Sequence, residues 1–171
     1  EKERYHNEII GYHGSEEGLE TLLGYQLFSI GNRADSAALV YQVDYVLDGY
    51  VKKAGTNFVL SVGRLIGSQP ELKGEQRLRK EDIYWEMPRC YQWDITVNLP
   101  EGYRISPEGL ERLNVKVEND CGAFIVQATT EDGTLRIKAE KRINHKTEPV
   151  ANWEKLLEIT DAANSYEALS I

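Results

Sequence analysis

Apolar and polar residues alternate without a break between Tyr91 and Leu99. Five apolar side chains fall on one face of this stretch (Tyr91, Trp93, Ile95, Val97 and Leu99) and four polar ones on the other (Gln92, Asp94, Thr96 and Asn98). Because successive side chains of a β-strand point to opposite sides, the pattern predicts a strand with one buried face. Trp93 is therefore expected to point into a core and Asp94 to point to solvent.

The same period of two occurs in several other segments of the chain. Residues 39–47 and 58–62 alternate, and the Gly-Thr-Asn sequence before Phe58 predicts a hairpin that joins them. Residues 83–87 form a further alternating strand, which Pro88 ends. Short connections at 119–122 and 131–133 predict an antiparallel meander, in which Leu135, Ile137 and Ala139 face inward and Arg136, Lys138 and Glu140 face outward.

Three segments depart from the alternation. Residues 15–28 carry Leu19, Leu22, Leu23 and Leu27 at helical spacing, which predicts a short N-terminal helix. Ser106-Pro107 predicts the cap and first residue of a short helix that ends near Leu113. Pro149 begins a C-terminal helix with one apolar stripe, formed by Val150, Trp153, Leu156, Leu157 and Thr160. The final residues, SYEALSI, are predicted to return as a strand.

Together these elements predict a mainly β fold. We expect an antiparallel β-sandwich, immunoglobulin-like or related, with about seven to nine strands, a C-terminal helix and a short N-terminal helix. A chain of 171 residues suits one domain over 1–171, with residues 1–56 contributing strands and a helix to it.

The charge balance bears on the partners of the chain. The net charge is −8, from 28 acidic and 20 basic side chains, and an acidic surface repels a phosphate backbone. Nucleic acid is therefore excluded as a partner. No apolar run approaches the roughly 18 residues of a transmembrane helix, so no membrane insertion is expected. The chain begins at Glu1 rather than at methionine, as expected of a mature or excised fragment of a longer protein, or of a chain from which a tag was trimmed.

A cysteine hydrolase is the sharpest catalytic hypothesis. Cys90 or Cys121 would be the nucleophile, and His6, His13 or His145 would be the base. This chemistry needs a stabilised thiolate, commonly at a helix N-terminus beside a histidine. Cys90 begins a strand after a proline and Cys121 lies in a hairpin connection, so structural thiols are favoured. The two cysteines are either bridged or separately buried.

Metal and cofactor sites lack the necessary spacings. The three histidines are scattered and no zinc-type pair occurs, while the carboxylates are spread one or two to a turn, at Asp44, Asp48, Asp120 and Asp132. Residues 62–74 contain glycines without the ending of a phosphate-binding loop, and they are predicted to form a surface connection. Residues 75–82 are predicted to be a solvated charged segment. No metal or cofactor is expected.

Exposed aromatic residues would favour glycan binding. Most aromatic side chains lie on apolar faces, which indicates a core position for Tyr41, Tyr45, Trp85 and Trp93. Tyr50, Tyr84 and Tyr103 are the candidates for exposure. An independent glycan- or peptide-binding module is therefore an alternative function.

Four stretches resemble a known family: FVLSVGRLIGSQPEL, RLRKEDIYWEMPRCYQWDITVNLPEGY, GAFIVQATTEDGTLRIKAEKRI and PVANWEKLLEITDAANSYEALSI. In this order they are similar to the C-terminal domain of unknown function of bacterial multidomain transglutaminase-like proteins. The resemblance covers residues 57–171 well and residues 1–56 loosely. The strand-Pro-x-Gly-Tyr connection at 99–103 and the proline-led helix with Trp153 carry it best.

The resemblance implies a context rather than a reaction. In such proteins a β-rich domain precedes a transglutaminase or cysteine-protease-like core, and the catalytic cysteine, histidine and aspartate belong to that core. No site residue is carried over to this chain. The resemblance further implies a periplasmic or cell-surface setting, with the export signal ahead of this chain. We therefore expect a non-catalytic accessory domain that packs on, or positions, the catalytic core.

Overall fold

The computed structural model describes residues 8, 11–12, 18–32 and 37–171. The chain divides into two compact units, Glu1–Phe58 and Val59–Ile171. The sequence predicts one domain over 1–171, in which residues 57–171 match the family well and residues 1–56 match it loosely. The division between the units falls two residues after that change in the match.

The first unit contains a long antiparallel hairpin. Its strands are β1 (Leu19–Asn32) and β2 (Ala37–Leu47). The helix predicted over 15–28 is therefore wrong from Leu19 onward, and Ser15 lies outside the described residues; helical backbone occurs earlier, at Glu8, Gly11 and Tyr12. Three register shifts leave Glu20, Leu23 and Phe28 without a partner residue in β2. Each shift is a β-bulge, which adds a residue to one strand and breaks the period of two.

The predicted alternation of β2 is confirmed, but its predicted pairing is wrong. Tyr41, Val43, Tyr45 and Leu47 are half-buried, whereas Gln42, Asp44 and Val46 between them are exposed. The strand pairs with β1 rather than with residues 58–62. A separate short hairpin, β3 (Val51–Ala54) and β4 (Asn57–Leu60), uses the predicted turn, with Gly55 at a φ of 65°.

The second unit is built on a four-stranded antiparallel sheet. Its four strands are β6 (Arg89–Asn98), β7 (Val115–Asn119), β8 (Gly122–Glu131) and β9 (Thr134–Ile143), and they lie in the order β6-β9-β8-β7. Two short strands precede and follow them in the sequence, β5 (Ile83–Tyr84) and β10 (Thr147–Glu148). The predicted meander is thus confirmed. The β8–β9 turn places both Asp132 and Gly133 at positive φ, 47° and 73°, as a tight hairpin turn requires.

The strand predicted over 83–87 is much shorter in the structure. Only β5 is extended, and it pairs with β10. Ile83 is buried, whereas Met87 is 58% exposed. A pairing of two residues buries only one side chain well. The alternation in the sequence runs on to Met87, but the strand ends at Tyr84.

Two helices accompany the sheet. Helix α1 (Pro107–Arg112) begins as predicted, because the Ser106 hydroxyl accepts a hydrogen bond of 3.0 Å from the Gly109 amide. Helix α2 (Trp153–Glu167) follows a 3₁₀ turn at Val150–Asn152. The predicted terminal strand is wrong, since α2 extends through Glu167. Only Ile171 exchanges backbone hydrogen bonds with Leu60, at 2.7 and 3.0 Å.

Helix α2 packs against β7 and β8 and covers one face of the sheet. Its predicted stripe holds for Leu156 and Leu157, but Ile159, Ala163 and Tyr166 are also buried. The 3₁₀ turn Val62–Ile66 completes this core with Val62 and Ile66, so the surface connection predicted at 62–74 is wrong in its first part. The core side of the sheet contributes residues from β8 and β9, namely Phe124, Val126, Ala128, Leu135, Ile137 and Ala139.

The fold class predicted from the sequence is confirmed. The protein is mainly β with antiparallel sheets and one C-terminal helix, consistent with a β-sandwich-like fold. Trp93 packs against the core and the side chain of Asp94 is 70% exposed, as the alternation of β6 predicts.

Candidate functional site

Glu148 is the buried charged residue of the described part of the chain. Its side chain is 2% exposed, although glutamate is among the residues least often buried. Strand β10 ends at this residue and directs it inward. His145 Nδ1 lies 2.6 Å from one carboxylate oxygen, and the Asn152 side-chain amide donates to the other at 2.7 Å.

The local sequence explains why a carboxylate is tolerated there. Glu148 directly precedes Pro149, which begins the 3₁₀ turn that leads into α2. Helix N-termini carry unpaired amide groups and a partial positive charge, which stabilise nearby carboxylates. Asp82 stabilises the helix start directly, since its Oδ1 accepts a hydrogen bond of 2.9 Å from the backbone amide of Val150. Two acidic side chains thus stabilise the start of the C-terminal helix.

The hydrogen bonds decide the charge state of Glu148. Burial raises the pKa of this carboxyl, but the hydrogen bonds from Asn152 and His145 outweigh it, and the net pKa is lowered. Glu148 is therefore ionised at neutral pH and accepts a hydrogen bond at each carboxylate oxygen. His145 donates through Nδ1–H, and its side chain is 56% exposed. A carboxylate that orients an imidazole in this way also occurs in hydrolases and in metal sites.

Cys121 lies beside this pair but is not activated by it. The residue is fully buried, and burial, followed by the negative charges of Glu148 and Asp120, raises the pKa of its thiol to about 11. Within the described residues the only histidine is His145, and its Nδ1 bonds to Glu148 rather than to the Cys121 sulfur. The thiol is thus held in the protonated, unreactive form.

The remaining members of the hydrolase hypothesis are dispersed. Cys90 is exposed at the beginning of β6, where its register partner is Arg142, and the two cysteines are not bridged. His6 and His13 lie outside the described residues. Sequence reasoning identified His145 and Cys121 but missed Glu148, because a lone glutamate before a proline gives no signal of burial.

The predicted turn carboxylates have separate surroundings. Asp44, Asp48 and Asp132 are exposed. Asp120 forms a salt bridge of 2.9 Å with Lys155, which joins the β7–β8 turn to α2. Within the described ranges, no group of three or more histidine, cysteine, aspartate or glutamate side chains is placed to hold a metal ion.

A second polar cluster lies at the other end of α2. The Lys141 ammonium donates a hydrogen bond of 2.9 Å to the Gln69 side-chain oxygen, and the Gln69 amide bonds to Glu167. Burial lowers the pKa of Lys141. The cluster joins β9, the loop after the 3₁₀ turn Val62–Ile66 and the end of α2, so its contacts are structural.

The face of the sheet opposite α2 is polar and charged. Arg142 bonds to Glu118 and Glu140 at 2.5 and 2.8 Å, and Gln92 donates to Glu140 at 3.0 Å. A shallow concavity of about 460 Å³ lies on β6, β9 and β8, and the polar part of its lining is Gln92, Asp94, Gln127, Lys138 and Glu140. We call this surface the polar concavity.

The exposure of the aromatic residues largely agrees with the prediction from the sequence. Tyr84 and Tyr103 are exposed, at 64% and 41%, whereas Tyr50 is half-buried. The four aromatic residues assigned to a core are half-buried. Tyr91 differs, because it is 48% exposed on the face predicted to be buried and stacks on Trp93 at 6.1 Å between ring centroids.

The charged segment 75–82 is mostly exposed, as predicted, but it also anchors α2. Arg77 forms a two-pronged pair with Asp161 at 2.7 and 2.8 Å, and its carbonyl oxygen accepts a hydrogen bond from the Trp153 indole. Its exposed position makes the ion pair weak, whereas the indole bond fixes Trp153 at the helix start.

Comparison with known proteins identifies the second unit. None of the described helices is long and apolar enough to cross a membrane. No curated protein and no solved structure matches the chain. A family model does match residues 62–171, and its description is "Domain of Unknown Function with solved-structure structure (DUF3858)". The match covers more than half of the chain and most of the second unit, so the chain belongs to the DUF3858 family.

Proposed function

We propose that this chain is a non-catalytic accessory module of a larger, exported transglutaminase-like protein, in which it packs on or positions the catalytic core. The observation that carries the proposal is the exposed apolar surface of the β1–β2 hairpin. The resemblance of residues 57–171 to the last domain of such proteins supplies the identity of the partner. It also supplies the periplasmic or cell-surface setting.

The hairpin presents apolar side chains that it cannot bury by itself. Two bulge residues, Leu23 and Phe28, are 65% and 58% exposed, and Leu39, Val40 and Val46 are exposed on β2. Between residues 8 and 58, none of the side chains whose exposure the structure describes is buried. A two-stranded hairpin is marginally stable in water by itself, and its exposed apolar side chains are available for contact with a partner. A docking role explains both properties.

The chemistry of the thiols supports a non-catalytic role. The buried Cys121 has a raised pKa, and no histidine of the described part of the chain bonds to its sulfur. Cys90 is an exposed residue beside Arg142, which is already paired with two glutamates. Catalysis by the parent protein would then depend on residues outside this chain. Replacing either cysteine by serine should leave the activity of the full-length protein unchanged.

The docking role can be tested with the separately expressed catalytic core of a transglutaminase-like protein that carries this domain. Titration calorimetry would measure its affinity for the 171-residue chain and for two variants, Leu23→Asp and Phe28→Asp. Leu78→Asp is the matched control, because Leu78 is 72% exposed and belongs to the second unit rather than to the hairpin. We expect each hairpin variant to weaken binding by at least tenfold, as a charge does at an interface core.

Two results would contradict the docking role. One is the absence of binding between the wild-type chain and the core. The other is an equal loss of affinity in the hairpin variants and in Leu78→Asp, which would indicate a nonspecific effect of added charge. Circular dichroism spectra of all variants would establish that each one is folded.

The polar concavity favours a second candidate, an independent module for cell-envelope glycan or peptide. Its amide and carboxylate groups can form hydrogen bonds with the hydroxyl groups of a sugar, and its shallow, open shape can admit an extended ligand. Gln127→Ala would then weaken binding of solubilised envelope glycan, whereas Gln69→Ala, on the other side of the sheet, would not. Equal affinities of the two variants would reject this candidate.

A further inference from the structure

We propose that two copies of this chain associate through the outer edge of β6, which forms an antiparallel pair with β6 of the second copy across a two-fold axis at Ile95. The four-stranded sheets of the two copies would thereby become one continuous sheet. The inference is independent of the docking role of the hairpin. It rests on the edge position, the lack of edge protection and the self-complementary sequence of β6.

Strand β6 is an unpaired edge in the described part of the chain. The sheet order β6-β9-β8-β7 places it at one end, with only β9 beside it. It has ten residues, twice the five of β7 at the opposite edge. An edge strand displays a row of free amide and carbonyl groups, which is a template for pairing with another strand.

The features that normally prevent edge pairing are missing from β6. Natural edges are protected by short strands, bulges, proline or lysine. The register between β6 and β9 runs from Arg89↔Ile143 to Asn98↔Thr134 without a shift, so the strand has no bulge. It contains neither proline nor lysine, and its charged residues are Arg89 and Asp94. Edge β7, in contrast, is short and carries Lys116.

The sequence of β6 is complementary to itself in one register. With the axis at Ile95, Trp93 faces Val97 of the second copy on the apolar side, an aromatic with β-branched pair that stabilises sheets. On the polar side Asp94 faces Thr96, and Gln92 faces Asn98. No like charges are opposed, whereas an axis at Asp94 would oppose two aspartates. The same register brings Arg89 level with Glu101 of the second copy.

The exposure of β6 agrees with this arrangement. Trp93, Ile95 and Val97 pack against the core but are only half-buried, and Tyr91 at the end of the row is 48% exposed. These side chains form a partly exposed apolar row along the edge of the sheet. A second β6 strand would cover this row with its own apolar side chains, and it would also pair the free amide and carbonyl groups of the edge.

Thr96 provides matched variants of opposite sign. Thr96→Lys places a cation opposite Asp94 of the second copy, twice in each dimer, and Thr96→Asp places an anion there. Cross-strand charge pairs contribute about 0.2–1 kcal/mol each, so sedimentation equilibrium should show the dimer dissociation constant falling about 2–30-fold for the lysine and rising by a similar factor for the aspartate.

The two Thr96 substitutions should change the stability of the monomer in the direction opposite to their effect on dimer affinity. Measuring both therefore separates an effect on the interface from an effect on folding. Within one copy Thr96 faces Arg136 of β9, so Thr96→Asp should stabilise the monomer and Thr96→Lys should destabilise it. Urea unfolding at low protein concentration measures this. A weaker dimer of a more stable monomer is a result that general destabilisation cannot produce.

Cross-linking tests the register itself. In a Cys90→Ser background, a mixture of the Asp94→Cys and Thr96→Cys variants should form a mixed disulfide dimer, whereas Asp94→Cys alone should not. The wild-type chain remaining monomeric up to high micromolar concentration would overturn the proposal. A dimer whose dissociation constant is unchanged by both Thr96 variants would also overturn it, and would locate the interface elsewhere.

Discussion

Gly63 lies against the backbone of Tyr166 so closely that no side chain fits between them. A Cβ atom at Gly63 would overlap the carbonyl oxygens of Tyr166 and Glu167. The Gly63 amide donates a hydrogen bond of 3.0 Å to the carbonyl of Leu169. The 3₁₀ turn Val62–Ile66 is thereby held against the end of α2, backbone on backbone, where the core is closed.

Gly63→Ala should therefore destabilise the second unit strongly. The added methyl group meets rigid backbone rather than a flexible side chain, so the turn or the helix must move, at a cost of about 1–3 kcal/mol. Urea unfolding monitored by tryptophan fluorescence measures the change. Gly11→Ala is the control, because the position is open and its φ is not positive; its effect should stay within about 0.5 kcal/mol. Equal effects of the two variants would disprove the close contact.

Removal of the Tyr166 hydroxyl should have the opposite effect and stabilise the second unit. The hydroxyl is buried and has no hydrogen-bond partner in the described part of the chain, while the Tyr166 ring packs edge-on to Phe124 at 5.7 Å. Removing an unsatisfied buried hydroxyl relieves a desolvation penalty, so we expect Tyr166→Phe to raise the free energy of unfolding by about 1 kcal/mol. A loss of stability would mean that the hydroxyl has a partner.

The same hydroxyl makes stability depend on alkaline pH. Burial raises the pKa of Tyr166 from 10.0 to about 12. Between these values the folded chain holds a proton that the unfolded chain has lost. The free energy of unfolding is therefore unaffected by the ionisation of this group below pH 10 and decreases as pH rises toward 12. Unfolding titrations across this range should show a steeper fall for the wild type than for Tyr166→Phe. Parallel curves would contradict the assignment.

Glu148 contributes to the loss of stability at acid pH. Its pKa is lowered from 4.5 in the folded chain, so its contribution is present above that pH and is lost as pH falls through the folded value. Glu148→Gln keeps the size of the side chain and removes the titration. We expect the variant to lose less stability than the wild type between pH 5 and pH 3. Glu108→Gln, an exposed glutamate at the first turn of α1, is the control.

The two thiols should react at very different rates. Cys90 is exposed and Cys121 is fully buried with a pKa raised to about 11, so a disulfide reagent at neutral pH should modify one thiol rapidly and the second only on unfolding. Cys90→Ser should abolish the rapid phase and leave the slow one. The absence of free thiols in denaturant would instead indicate a bridge.

Local patterns predicted the elements of the second unit better than their partners. The alternation of β6, the β8–β9 turn and the Ser106 cap depend on neighbouring residues, and the sequence identifies them. The burial of Val62 and Ile66 depends instead on the distant end of α2. Glu148 is buried because the His145 and Asn152 side chains approach it. Neither relationship leaves a periodic trace in the sequence.

The wrong assignment of β1 has a specific physical cause. A bulge inserts one residue into a repeat of two, so two residues on the same face become separated by three. Leu19, Leu22 and Leu27 all lie on the half-buried face of β1, yet with Leu23 their spacing imitates a helix. Bulges at Glu20, Leu23 and Phe28 were thus enough to hide a fourteen-residue strand.

The strand order of the second unit also has a kinetic consequence. Strand β8 meets β9 across the two-residue turn at Asp132 and Gly133, whereas β6 reaches β9 only after the chain has passed through α1, β7 and β8. Closing a short loop costs less entropy than closing a long one, so the β8–β9 hairpin is expected in the folding transition state and β6 is expected to dock late. During that interval the edge most able to capture another strand belongs to β9, and the speed with which β6 docks sets how long it stays open.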